Sequence, residues 1–249
     1  MDFIRHHFQV IDSTNSWAKR NAHLLARDKI TLVTADSQTA GRGRFKRHWV
    51  SPPNQNVYAT FCFFVEKHHA DLGNIPQVLA LSAVKVLQHL GFSAGLKWPN
   101  DVILSQKKIG GILAETTPLS DQLCMLIGIG INVNMPLEVL QGIDRPATSL
   151  FVESGRTYDV EEVLFSLQTQ FFKDLTLFID EGFHPFLEFY RKHISLHQHV
   201  YFNDNKTIWE GDLHAINDDG SLTLKLPDGQ LKNFIVGEIL WPNEIKAKG

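Results

Sequence analysis

Residues 102–133 read VILSQKKIGGILAETTPLSDQLCMLIGIGINV and contain three apolar runs separated by short polar turns. The turns fall at Ser105-Gln106 and at Ser120-Asp121. Turns of two residues join antiparallel strands, because a parallel connection needs a much longer crossover. The segment therefore predicts neighbouring antiparallel strands at 102–104, 108–115 and 123–133, preceded by a strand at 95–98.

On the N-terminal side of this segment, strand and helix patterns alternate. Residues 10–15 predict a strand that runs into a helix, with Asp12, Ser13 or Thr14 as the N-cap. The other elements predicted from apolar spacing are strands at 31–35 and 57–65 and helices at 75–90, 160–178 and 183–193. The fold class is therefore α+β, with a mixed β-sheet and packed helices.

The last fifty residues have a different pattern. Short alternating segments occur at 200–202, 208–216, 222–226 and 231–236, separated by turns rich in Asn, Asp and Gly. Regularly spaced hairpin signals of this kind predict a small β-barrel. We therefore predict two domains, a catalytic domain over residues 1–195 and a barrel over residues 196–249.

The composition limits the function classes. The chain has 249 residues, with 24 Lys and Arg against 27 Asp and Glu and a net charge of −3. A polyanion therefore finds no general attraction and would have to bind a local basic patch. The two cysteines, Cys62 and Cys124, lie in apolar runs; the N-terminus lacks the apolar core of a signal peptide, and the longest apolar stretches are roughly half a membrane span. These features predict a soluble, cytoplasmic protein with buried thiols.

The strongest local signal is the glycine-rich basic segment QTAGRGRFKRHW at residues 38–49. Gly41 and Gly43 allow close approach of the backbone to a ligand, and four cations follow within six positions, at Arg42, Arg44, Lys46 and Arg47. The spacing lacks the third glycine of a dinucleotide fingerprint, and the chain has no P-loop sequence. The segment predicts a phosphate-binding loop, with a solvated basic loop or a nucleic-acid contact as the alternatives.

A second polar group follows at KWPND, residues 97–101, and at Lys108. Asn100 and Asp101 offer oxygen ligands at a turn, which suits magnesium held partly by phosphate oxygens. Lys108 precedes Gly110 and Gly111, so its ammonium is placed to meet an anion bound close to the backbone. The alternative is an ordinary turn beside an exposed pair of lysines.

Together these motifs resemble the biotin protein ligase family, whose members attach biotin to acetyl-CoA carboxylase. Five motifs occur in the family's order, and their joint order is specific although each is weak alone: DSTN at 12–15, QTAGRGR at 38–44 with WVSP at 49–52, KWPND at 97–101, KIGGILAE at 108–115 and GIGINVN at 128–134. The C-terminal barrel is similar to the family's SH3-like domain. The chain departs from the family's usual loop at Lys46, where a glycine is common, and we expect the closed loop to need no positive φ there.

The resemblance implies an ATP-dependent ligase that works in two steps through biotinyl-5′-AMP, with biotin, ATP and Mg²⁺ as substrates and cofactor. Lys108, Arg44 and Asp101 are then the expected catalytic residues, with Asp101 as base or metal ligand beside Asn100. The expected biotin-binding residues are Ser13, Thr14, Asn15, Gln38, Arg42, Gly43, Lys108 and Gly111, with Arg42 and Gly43 contributing backbone amides. The expected ATP-binding residues are Arg42, Arg44, Arg47, Trp49, Asn100, Lys108 and Asn132.

The resemblance also implies a partner, the biotin carboxyl carrier protein of acetyl-CoA carboxylase. Eleven residues precede Asp12, too few for the winged helix of the family's repressor members, so we expect no specific DNA binding and no membrane partner. A homodimer through a sheet edge is a further expectation. Two rival functions stay open: a lipoate or octanoate protein ligase, and a non-enzymatic biotin-sensing module or nucleic-acid adaptor.

Overall fold

A computed structural model gives the fold of the chain and describes residues 2–67, 71–194, 198–241 and 244. Seven strands form a mixed sheet in the order β1-β2-β3-β7-β6-β5-β4. These strands are β1 (Phe3–Ile11), β2 (Ile30–Gln38), β3 (Asn56–Glu66), β4 (Gly95–Lys97), β5 (Asp101–Leu104), β6 (Lys107–Leu119) and β7 (Gln122–Asn132). β1 and β2 pair in parallel, and the other neighbours in this sheet pair antiparallel.

The antiparallel strands predicted between residues 95 and 133 are confirmed. Both connecting turns use left-handed backbone, with φ of 50° at Ser105, 61° at Gln106 and 49° at Ser120. Tight hairpins favour such angles because their twist matches that of the flanking strands. The sequence analysis missed the first part of β1, which forms one edge of the sheet.

Helices cover both faces of this sheet. They are α1 (Thr14–Asn21), α2 (Ile75–His89), α3 (Leu137–Gln141), α4 (Leu150–Ser154), α5 (Val160–Glu181) and α6 (Leu187–His193). Odd-numbered residues of β3, such as Phe61, belong to the large core formed with α2 and α5. The even-numbered Cys62 belongs to a smaller core beneath α1. Because side chains alternate along a strand, the two cores lie on opposite faces of the sheet.

The C-terminal segment forms a separate five-stranded antiparallel sheet in the order β11-β10-β9-β8-β12, which fits an SH3-like domain. Its strands are β8 (His199–Asn203), β9 (Ile208–Ile216), β10 (Leu222–Lys225), β11 (Leu231–Phe234) and β12 (Glu238–Ile239). The sequence analysis missed β12 and the short helices α3 and α4. The predicted boundary between residues 195 and 196 lies outside the described residues.

The turn between β9 and β10 docks this small sheet onto the large one. The Gly220 carbonyl accepts hydrogen bonds from Trp98 Nε1 at 3.0 Å and from Gln77 Nε2 at 3.1 Å. Asn74 Nδ2 donates to the neighbouring Asp219 carbonyl at 2.9 Å. Trp98 directly precedes the turn that carries Asn100 and Asp101, so the small sheet buttresses that turn. No helix in the described part of the chain is long and apolar enough to cross a membrane.

Candidate active site

One cleft lies on the α1 face of the large sheet and is lined by every predicted site residue. These are Ser13, Thr14, Asn15, Gln38, Arg42, Gly43, Arg44, Arg47, Trp49, Asn100, Asp101, Lys108, Gly111 and Asn132. They come from five separate stretches of sequence. The sheet brings the stretches together on this face. The N-terminus of α1, the basic loop and the ends of β5, β6 and β7 all lie there.

One end of the cleft is a network of neutral hydrogen-bonding groups at the start of α1. Ser13 caps the helix, and its hydroxyl accepts from the Ser16 amide. The Thr14 amide donates to Gln38 Oε1 at 2.9 Å. From β3, the buried Thr60 hydroxyl lies 2.8 Å from Thr14 Oγ1 and 2.6 Å from Asn15 Oδ1. This end therefore presents fixed donors and acceptors without a net charge of its own.

Glycines form the floor of the cleft because side chains lie directly against the backbone there. A Cβ added at Gly128 would lie 2.0 Å from Asn15 Oδ1, and one at Gly130 would lie 2.4 Å from Trp49 Cε2. Trp49 thus rests on β7, and its buried Nε1 has no hydrogen-bond partner among the described residues. The N–H lies against the β7 backbone, since a Cβ added at Gly130 would lie 2.5 Å from Trp49 Nε1.

The basic loop folds back on itself beside this floor. The Gly43 amide donates to the Arg47 carbonyl at 2.8 Å. The expectation that the Gly43 amide faces a ligand is therefore wrong, since a bond within the loop uses it. Lys46 has a φ of 60° and Phe45 a φ of 56°. The expectation of no positive φ at Lys46 is also wrong: the loop keeps the glycine-like geometry and places a lysine in it.

The opposite end of the cleft is cationic. Lys108 Nζ lies 2.5 Å from Asp101 Oδ1 in a pair that is mostly buried. Arg44 donates to Asn100 Oδ1 at 3.3 Å and to the Gly237 carbonyl at 2.9 Å. Burial lowers the pKa of Arg44, so its charge is incompletely compensated by its surroundings. An anion entering here would gain direct contact with two cations.

Asp101 does not suit the role of a base. Burial alone would raise its pKa, but the nearby charges of Lys108 and Lys97 hold the pKa below its ordinary value. A carboxylate stabilised in this way accepts a proton poorly near neutral pH. Its observed contact indicates instead that it orients Lys108.

Asn100 and Asp101 also do not fit the predicted magnesium site. The side-chain oxygen of Asn100 accepts from Arg44, and its amide donates to the Ile112 carbonyl at 2.5 Å. The Asp101 carboxylate faces Lys108. Within the described ranges, no three His, Cys, Asp or Glu side chains are grouped so that they could hold a metal ion. A cation here would have to displace the protein's own ammonium and guanidinium groups.

Several cleft residues were missed by the sequence analysis. Arg145 enters from the segment after α3, and Glu238 enters from β12. Arg47 donates to both Glu238 oxygens at 2.5 Å, which ties the basic loop to the small sheet. Lys97 belongs to the KWPND motif, but we assigned it no role; it donates to the Ile239 carbonyl and lies 4.0 Å from the Trp241 ring centroid. Sequence spacing gave no sign of contacts that join positions 47 and 238.

The fold and the cleft define a class of enzyme. A neutral polar end suits an uncharged ring system, and a cationic end suits the meeting of a carboxylate with a phosphate. The described residues offer no catalytic serine or cysteine here, and both cysteines are buried with a raised pKa caused by burial. The arrangement is that of a carboxylate-activating enzyme that works by positioning and charge.

Comparisons with known proteins agree with this class. The profile of the biotin/lipoate A/B protein ligase family matches residues 7–132. The chain is 31% identical over 229 residues to the bifunctional ligase/repressor BirA of Bacillus subtilis, covering 88% of this chain and 70% of BirA. It is 29% identical to the biotin–[acetyl-CoA-carboxylase] ligase of Paracoccus denitrificans, covering 88% and 93%. The structure of Aquifex aeolicus biotin protein ligase with biotin and ATP matches with a TM-score of 0.79 and 30% identity, covering 96% of this chain and 97% of that one.

These matches establish the family. The chain belongs to the biotin/lipoate A/B protein ligase family, as its motifs predict.

Proposed function

We propose that the protein is an ATP-dependent biotin protein ligase that forms biotinyl-5′-AMP and transfers the biotinyl group to a lysine of a carrier protein. The observation that carries the proposal is the pairing, within one cleft, of a neutral hydrogen-bonding end with the cations Lys108 and Arg44. The relatives with biotin ligase names and the Aquifex structure with biotin and ATP support the choice of substrates.

In the first step, a carboxylate oxygen of biotin attacks the α-phosphorus of ATP, and the bond to the pyrophosphate oxygen breaks. Both reactants are anions, so fixed positive charge must offset their repulsion. Lys108 supplies a point charge with three donors that can follow the carboxylate as it becomes an anhydride. Arg44 supplies a second cation, and the Trp49 ring lies against the cleft floor at Gly130.

In the second step, the neutral amine of the acceptor lysine attacks the anhydride carbonyl, an amide bond forms, the bond from the carbonyl carbon to the phosphate oxygen breaks, AMP leaves and the amine's proton passes to solvent. At neutral pH only about one free lysine in a thousand is neutral. Because Asp101 is held as a stable carboxylate beside Lys108, we assign it to orientation. Asn132 lies at the end of β7, where its amide donates to the Thr148 carbonyl at 3.0 Å, and we assign it to the wall around the adenylate.

The lipoate and octanoate ligase alternative differs at the neutral end of the cleft. A ureido ring presents two N–H donors and a carbonyl acceptor, and the groups of Ser13, Thr14, Asn15 and Gln38 can match them. A dithiolane or alkyl tail presents none, so it would gain no hydrogen bonds from these groups, which bond to one another and to Thr60. We therefore favour biotin.

The adaptor alternative requires a free basic patch, and the basic loop does not provide one. Arg42 pairs with Glu115 at 3.0 Å, and Arg47 pairs with Glu238. Arg44 is directed to a backbone carbonyl and to Asn100. With Arg42 and Arg47 compensated by carboxylates and Arg44 directed into the cleft, the exposed Lys46 is the main charge that the loop could offer a nucleic acid.

Pyrophosphate release from ATP tests the proposal. We expect release that requires biotin, with little from lipoate, octanoate or ATP alone. Lipoate-dependent release would establish the rival ligase, and no release with any acid would contradict a ligase function. When a biotin carboxyl carrier domain of acetyl-CoA carboxylase is added, the mass of that domain should increase by one biotinyl group.

The expected homodimer would use the β1 or β4 edge of the large sheet. Sedimentation of the protein at rising concentration tests this expectation.

A further inference from the structure

Glu115, on β6, lies just outside the described cleft and contacts its neutral end. Its side chain is only 14% exposed, and it gathers three donors. Oε1 accepts from Lys19 Nζ and from Arg42 Nη2, each at 3.0 Å, and Oε2 accepts from Asn15 Nδ2 at 3.3 Å. Burial alone would raise the pKa of Glu115, but the hydrogen bonds from Lys19 and Arg42 hold it below its ordinary value.

Two of these donors are cleft residues from different segments. Asn15 is the second residue of α1, and its amide also donates to the Leu113 carbonyl at 3.0 Å. With both amide hydrogens directed at β6, Asn15 Oδ1 is left to meet Thr60. Glu115 and the Leu113 carbonyl together fix which way the Asn15 amide faces, because two acceptors on this side favour the NH₂ group there.

Arg42 is the first cation of the basic loop. Besides Glu115, its guanidinium donates only to the Ser16 hydroxyl among the described residues, at 3.1 Å. Ser16 lies one residue after Asn15 on α1. Glu115 thus holds the beginning of the loop against the beginning of the helix, and both segments form the wall of the neutral end.

We infer that Glu115 is a positioning residue that holds Asn15 and Arg42 in place around the biotin head group, and so sets biotin affinity without taking part in phosphate chemistry. This inference rests on the proposed function, which assigns the neutral end to biotin. Glu115 bonds to Lys19, Arg42 and Asn15, and none of these bonds involves Lys108, Arg44 or Asp101 at the cationic end. Arg42 is also an expected ATP contact, but its guanidinium bonds to Glu115 and Ser16 beside the neutral end, so we expect the effect of Glu115 to fall on biotin.

The variant Glu115→Gln tests this, since glutamine keeps the shape and removes the charge. We expect the KM for biotin to rise about tenfold, the scale of one charge-assisted hydrogen bond, with kcat and the KM for ATP within about twofold. The control Lys19→Met removes another partner of the same carboxylate but leaves both cleft-facing contacts, so it should leave the KM for biotin unchanged. In a double-mutant cycle, Arg42→Gln should add little to Glu115→Gln.

The outcomes separate this inference from the proposed function. An unchanged KM for biotin in a folded Glu115→Gln variant overturns the inference, as does an equal rise in both KM values. If the KM for biotin rises as much in Lys19→Met as in Glu115→Gln, Glu115 has only a general structural role, and the inference is overturned. If Glu115→Gln does not fold, Glu115→Asp, which keeps the charge on a shorter arm, should show an intermediate KM for biotin at unchanged KM for ATP. A parent protein that shows no biotin-dependent release contradicts the proposed function itself.

Discussion

At the scale of single residues, the Lys108–Asp101 pair carries the first prediction. Lys108→Ala should reduce biotin-dependent exchange of pyrophosphate into ATP by about 100- to 1,000-fold, because it removes a preorganised charge where two anions meet. The neighbour Lys107 is a matched control, since it is 47% exposed and pairs with Glu153 at 3.8 Å. Lys107→Ala should exchange at the parent rate. Near-normal exchange in a folded Lys108→Ala variant would remove Lys108 from the mechanism.

A second residue-scale prediction concerns Lys97. Burial, which Asp101 opposes and the charge of Lys108 reinforces, lowers the pKa of this ammonium to about 8. The cleft therefore holds the positive charge below pH 8 and loses it as the pH rises. We expect ATP affinity, measured by calorimetry with a non-hydrolysable analogue, to fall several-fold between about pH 7 and about pH 9. Lys97→Arg, which stays protonated, should flatten that fall; coinciding profiles of parent and variant would contradict this reading.

At the scale of elements, the basic loop carries a strained residue. Lys46 has a φ of 60°, which costs a residue with a Cβ about 1–2 kcal/mol. Lys46→Gly relieves that strain but makes the unfolded chain more flexible, so the free energy of unfolding should rise by no more than about 1 kcal/mol. Lys46→Ala keeps the Cβ and removes the charge, so it should show no such gain. Urea denaturation of the parent protein and the two variants measures these free energies of unfolding. Equal increases in both variants would assign the effect to the loss of charge.

At the scale of the whole molecule, docking of the two sheets depends on Gly220. A Cβ there would lie 2.4 Å from Asn74 Nδ2 and 2.6 Å from Gln77 Oε1. Gly229 is a matched control, because its φ of +86° resembles the +75° of Gly220 and nothing lies within 4 Å of its Cβ position. Gly220→Ala should destabilise the protein by about 1–3 kcal/mol more than Gly229→Ala, in thermal unfolding. Gly220→Ala should also slow adenylation, because Trp98, which donates to the Gly220 carbonyl, directly precedes the turn that carries Asn100 and Asp101. Identical behaviour of the two variants would show that this turn does not hold the sheets together.

The sequence by itself determined most of the strands, the main helices and the five motifs that line the cleft. Local patterns carry this information: a continuous apolar run indicates that β3 is buried, and a short polar turn indicates an antiparallel pair. The glycines and cations at residues 41–47, together with Lys108, predict an anionic ligand that binds close to the backbone. The motif order identifies the family because unrelated chains rarely repeat five such segments in sequence.

Only the tertiary structure decided how those residues are partnered. Arg47 and Glu238 are 191 positions apart, and no periodicity relates them, so the link between the basic loop and the small sheet could not be predicted. The same holds for Asp101, whose role changes from base to orienting partner because Lys108 and Lys97 surround it. Spacing along a chain specifies which side chains share a face, whereas the pKa of a group and the use of its hydrogen bonds depend on neighbours that folding alone brings near.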